Sequence, residues 1–170
     1  MRTSIRLALA APLLSLLAAC GGDAAANANP YERGLDQAKA GDHAAAVASY
    51  DEALADLEPG AGTYMEIQMA RIESLTHTDA PKAAIDFLEV ADENSELVKP
   101  EDFMRVFNWF VQVKDWGQGG KIADTFGTAY PENEELAQRM DTRIQEAIDA
   151  GEVSAAQLEM LEGLGYVSTQ

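Results

Sequence analysis

Apolar positions recur along this chain at intervals of three and four, the spacing of one helix face, and alternating runs are absent. From Asn133 to Ala150, Leu136, Met140, Ile144, Ala147 and Ile148 fall on one face. Glu135, Arg139, Asp141, Arg143 and Glu146 fall on the other. This helix suits the end of a stack, where the core must be sealed from water. Gly151 is placed to stop it. Ser154-x-x-Gln157 then forms a capping box ahead of Leu158, Leu161 and Leu164. Upstream, Pro100 suits a helix first turn leading into Phe103, Val106, Phe107, Phe110 and Val113. Thr63-x-x-Glu66 predicts another boxed start, with Ile67, Ile72 and Leu75 for the core. Tyr31 to Ala40 is the weakest helical segment, with Gly34 in a small slot. The β-branched residues are scattered, so the expected fold is all-α, built of antiparallel hairpins packed side by side.

Three stretches repeat: residues 40–59, 78–93 and 114–133. Each carries an Asp placed to cap a helix, at Asp42, Asp79 and Asp115. Small residues follow each Asp, then apolar contacts four and seven positions further on. Ala46, Tyr50, Ala53 and Pro59 in the first stretch resemble the second-helix pattern of the tetratricopeptide repeat family. Ala84, Leu88 and Ala91 in the second match it without the Pro. Gly119, Ala123, Phe126 and Pro131 match it in the third. Ala46 to Ala84 spans 38 residues and Ala84 to Gly119 spans 35, close to the family's period of about 34. The resemblance covers residues 31–133 and implies a right-handed solenoid of about three hairpins, with residues 134–170 as capping helix and tail. Another helical-hairpin repeat stays open as an alternative. Leu161-x-x-Leu164-Gly165-Tyr166-Val167 resembles the tail of some bacterial sulfatase-like and repeat-containing chains, which says little about role.

The first nineteen residues follow another pattern. Arg2 and Arg6 precede an apolar run from Leu7 to Ala19, the layout of a secretory signal. The run is shorter than the roughly 20 residues a membrane helix needs, and Pro12 interrupts it. Leu17-Ala18-Ala19-Cys20 resembles the lipobox of bacterial lipoproteins. That resemblance implies cleavage before Cys20 and fatty acylation of Cys20 at its sulfur and new amino group. A plain cleaved signal would instead leave Cys20, the chain's single cysteine, as a free thiol in an oxidising compartment. Gly21 in place of Asp leans toward the outer membrane, facing the periplasm. Residues 20–30, from Cys20 through GGDAAANANP, are small, polar and aperiodic and read as a tether.

Charge narrows the partners. The chain has 12 Lys and Arg against 29 Asp and Glu, a formal −17. Loss of residues 1–19 removes only Arg2 and Arg6, leaving 10 against 29, or −19. So acidic a body is repelled by nucleic acid and by anionic lipid surfaces. Partners touching it broadly are expected to be neutral or basic.

Chemistry-bearing motifs are scarce. There are two His, His43 and His77, too few with one Cys for a zinc centre. No metalloprotease, EF-hand or nucleophile-elbow motif occurs. GQGGK, residues 117–121, looks like a phosphate loop but lacks the leading Gly and the Ser or Thr after Lys121. Its glycines instead allow close helix approach, and their low helix propensity predicts a turn that frays. Residues 92–96 are an acidic loop, His43 is expected to be exposed, and Trp109 and Trp116 to be core. The chain is expected to be no enzyme and to need no cofactor or metal.

In the repeat family the first helices of successive hairpins line a groove for a peptide or partner helix. Slot by slot, that implies Tyr31, Leu35, Ala38 and Lys39 from the first hairpin. The second supplies Glu66, Met69, Glu73, Thr76 and His77. The third supplies Glu101, Met104, Asn108, Val111 and Gln112. Met69 and Met104 are expected to adapt to different ligands. The expected role is a lipid-anchored interaction scaffold for envelope proteins. Two other readings stay open. In one, Leu158, Leu161, Leu164, Tyr166 and Val167 pair with a second copy, giving a homo-oligomeric structural lipoprotein; in the other, the domain binds a small molecule.

Overall fold

The computed structural model describes residues 29–60 and 62–167. Residues 1–28, with the signal-like run, Cys20 and most of the proposed tether, lie outside them. Among the described residues the protein is all-α, with eight helices and no strand. They are α1 (Pro30–Lys39), α2 (His43–Leu54), α3 (Gly62–Thr78), α4 (Ala80–Glu93), α5 (Pro100–Gln112), α6 (Trp116–Ala129), α7 (Glu134–Asp149) and α8 (Ala155–Gly163).

The helix starts follow local chemistry. Asp42, Asp79 and Asp115 each accept a hydrogen bond from the backbone N–H three residues on, at Ala45, Lys82 and Gln118, over 3.1–3.2 Å. Ser154 and Gln157 exchange the two bonds of a capping box, at 3.4 and 3.1 Å. Pro100 opens α5, and Asp102 accepts from the Lys99 N–H at 3.0 Å. The box expected at Thr63 does not form. α3 already begins at Gly62, which puts Thr63 inside the helix, and the Glu66 carboxylate accepts from the Tyr31 hydroxyl instead. Gly151 ends α7 as expected, in the left-handed conformation at φ 69°. Lys114 ends α5 the same way at φ 57°, with no glycine to ease it. Its carbonyl accepts from the Gln157 side chain at 2.9 Å, which ties the α5–α6 turn to α8.

Packing follows the order of the chain, with one row running through the odd helices. Sequence neighbours pair as α1–α2, α3–α4 and α5–α6. Beyond these, α1 touches α3, α3 touches α5, and α5 touches α7, so the odd helices form one row. Among the even helices α4 packs on α6 and α6 on α8, while α2 packs on α1 and α3. At this end α7 packs on α5 and α6, and α8 packs on α6.

The core has two parts. A small one holds Ala46, Tyr50 and Ile67 between α1, α2 and α3. A large one runs from α3 to α8 and is rich in rings. Phe103 lies edge-on to Phe87 at 4.9 Å and to Tyr130 at 5.6 Å, and Phe126 stacks on Tyr130 at 5.4 Å. Trp116 is buried here and Trp109 packs at its margin. The first turn of α6, expected to fray, is instead buried from Trp116 to Gly120. A β-carbon at Gly117 would come within 2.9 Å of the Met160 sulfur, and one at Gly120 would collide with Leu161. Bare backbone at these two positions lets α8 lie against α6, and the cover holds the turn.

Candidate functional site

The groove residues drawn from the repeat pattern divide into three groups. Some are core. Met69 is 8 % exposed and belongs to the large apolar cluster, so it is not placed to meet a partner. Thr76 is buried and donates to the Glu73 carbonyl at 2.7 Å. In both cases the α3 face that meets α5 and α4 has claimed the side chain. Val111 is half-buried against the same cluster.

A second group is on the surface but already engaged within the chain. The Tyr31 hydroxyl donates to Glu66 at 2.8 Å. Partial burial, then that bond and the Glu66 charge, push the Tyr31 phenol up to about 12. Lys39 pairs with Asp36 at 3.6 Å, an exposed pair. Leu35 and Ala38 pack on the small core. Leu35, Lys39, Tyr50 and Glu73 line a cleft of about 270 Å³ between α1, α2 and α3. At one side of it the imidazole of His43 stacks on that of His77, centroids 4.0 Å apart and planes within 10°. His43 is half-buried rather than exposed, and its Nδ1 is buried without a partner among the described residues. Burial and the neighbouring His43 lower the His77 pKa, against an opposing pull from Glu73.

The third group is open. Met104 and Asn108 of α5 line a cleft of about 470 Å³ whose opposite wall is α7. Phe107 forms its apolar floor, and Gln138, Arg139, Thr142 and Arg143 form the far wall. Glu101 and Gln112 are exposed on α5 outside this lining. The pattern of residues missed the α7 wall altogether, because a charged face on a closing helix reads as one that only meets water. The available signal was the pair Arg139 and Arg143, one turn apart on a chain with few cations.

A larger cleft, about 630 Å³, lies across α7 between α6 and the tail. There Tyr166 donates to Asp141 at 2.9 Å, and burial with that bond raises its pKa. Leu161 is fully buried and Leu158 and Leu164 half-buried, so the tail, which one alternative reading gave to a second copy, packs on its own domain. Among the described residues no three His, Cys, Asp or Glu side chains are grouped to hold a metal ion. Among the same residues no helix is long and apolar enough to cross a membrane. Comparison with protein-family models, with curated proteins and with solved structures finds no match.

Proposed function

We propose that this chain is a lipid-anchored protein-interaction scaffold of the bacterial cell envelope, and that the row of odd helices takes a peptide or partner helix. The observation that carries the reading is the α5–α7 cleft, with an apolar floor, amide groups at Asn108 and Gln138, and room for several side chains. The contacts among the odd helices support a repeat solenoid of tetratricopeptide type, with α7 continuing that row and α8 covering α6. The Leu-Ala-Ala-Cys sequence ending at Cys20 supports the anchor, and Gly21 supports an outer-membrane site facing the periplasm. Confinement to a surface raises the effective concentration for other envelope proteins. The domain does no bond-making chemistry of its own.

The test is crosslinking in intact envelopes with Met104→Glu and Asn108→Lys changed together, alongside mass spectrometry of the mature N-terminus. Loss of a specific crosslinked partner and an acylated Cys20 are expected. A partner set unchanged by the double substitution removes the cleft from the proposal, and an unacylated Cys20 removes the anchor.

A further inference from the structure

We infer that the segment docking in the α5–α7 cleft presents two carboxylates, spaced by about one helical turn, on either side of an apolar side chain. This rests on the reading of the cleft as a partner site. Six of the ten Lys and Arg among the described residues have a carboxylate within 4.0 Å: Arg33, Lys39, Arg71, Lys82, Arg105 and Lys114. Arg139 and Arg143 have none among the described residues, although the chain carries 29 acids. Both stand on one wall of the same cleft.

Their spacing on α7, four residues apart, sets the β-carbons about 5–6 Å apart. Carboxylates four apart on a helix, or two apart on an extended strand, match that separation. Guanidinium groups hold carboxylates through paired parallel N–H bonds, which fixes orientation as well as charge. Between the two arginines and α5, Met104 and Phe107 offer an apolar floor. Asn108 and Gln138 can bond a partner's backbone. Glu135 also lines the cleft, so the site's own charge is two positive against one negative.

The net charge of the whole chain does not oppose this. At physiological ionic strength the screening length is about 8 Å, so a docked carboxylate feels the two adjacent guanidiniums far more than the distant acids. The acidic coat then acts on the rest of the partner. A neutral or basic body with a short acidic segment is favoured, and an anionic polymer such as nucleic acid is turned away.

The test places a photo-crosslinking amino acid at position 138 of the full chain in intact envelopes. Three versions are compared: unchanged arginines, Arg139→Glu with Arg143→Glu, and Arg139→Lys with Arg143→Lys. Thermal unfolding is followed to show that all three are folded. The expected product is a protein segment that mass spectrometry maps to at least two Asp or Glu flanking an apolar residue. Its yield falls about tenfold or more with the double Glu change and stays within about threefold with the double Lys change. If the mapped segment lacks carboxylates, or the double Glu version captures it undiminished, the carboxylate inference fails while the cleft stands as a partner site. If position 138 captures no protein in any version, the cleft reading fails and the inference with it.

Discussion

The two ends of the molecule share one arrangement of helices and hold it by different means. Around α1 to α3 the core is three buried side chains, and polar contacts supply much of the specificity. Arg33 bonds Ser49 at 3.0 Å and pairs with Glu52, and Ser49 donates to Gln37 at 2.7 Å. Arg71 pairs with both Asp51 and Asp86, linking α2, α3 and α4. Around α5 to α8 the core is a run of rings and bare backbone, with few charges between helices. One scaffold therefore has an end that responds to pH and salt and an end that responds to volume. The open cleft lies at the second end, with Phe107 of the ring-rich core as its floor.

Removing a ring should show the largest effect. Phe103 is 2 % exposed and touches three other rings. Phe103→Ala should cost about 3–5 kcal/mol in urea unfolding, with protection from hydrogen exchange lost first in α5 and α6. Next is Arg71, whose side chain is 14 % exposed against Asp86 at 12 %. Arg71→Met should cost about 2–3 kcal/mol because Asp86 stays buried with only Lys82 beside it. That loss should shrink when the wild type is measured in high salt, whereas the Phe103 loss should not.

A smaller effect is expected at the glycine of the polar end. Gly34 is buried beneath the Tyr50 ring, and an added β-carbon would overlap it. Overpacking of this kind costs about 1–3 kcal/mol, offset by about 1 kcal/mol of helix propensity gained. Gly34→Ala should thus lower stability by about 1 kcal/mol, where Gly→Ala at exposed Gly127 should raise it. The smallest mutational effect belongs to Tyr31→Phe, about 0.5 kcal/mol, the lower end for a hydrogen bond, because the bond to Glu66 is exposed.

The stacked imidazoles give the polar end a pH response. His77 has a lowered pKa in the folded state, so above about pH 6.5 both states are neutral there and its contribution is complete. As pH falls below that value the unfolded chain takes up the proton first, and stability declines until the folded pKa is passed. The charged groups facing the pair are Glu73, which favours protonation, and Lys39, which lines the neighbouring cleft. Chemical unfolding at pH 7 and pH 5 should show a decline that His77→Gln reduces. An equal decline in both would assign it to the carboxylates.

How much of this was legible in the chain depended on distance along it. Asp42, Asp79, Asp115 and Ser154 were readable because a cap is complete within four residues. The glycines at 117 and 120 announce a close approach but not its partner, since Met160 and Leu161 lie some forty residues away. The stack of His43 on His77 has no local trace for the same reason. Thr63-x-x-Glu66 failed because Tyr31, in a different helix, claims the carboxylate. Met69 failed by rotation: one position along a helix turns a side chain by about 100°, enough to move it from groove to core. Along the chain Arg139 and Arg143 read as solvent-facing charges, and they become one wall of a cleft only where α5 stands opposite them.

The fit of α8 on α6 works as a key in a lock with one position. Met160 and Leu161 fill the gaps left by Gly117 and Gly120. Sliding by one turn, about 5.4 Å, would set at least one of those teeth against a residue that carries a β-carbon, such as Ala123 or Asp124. Both gaps are filled together in the register that α8 takes, and that is where the last helix seats.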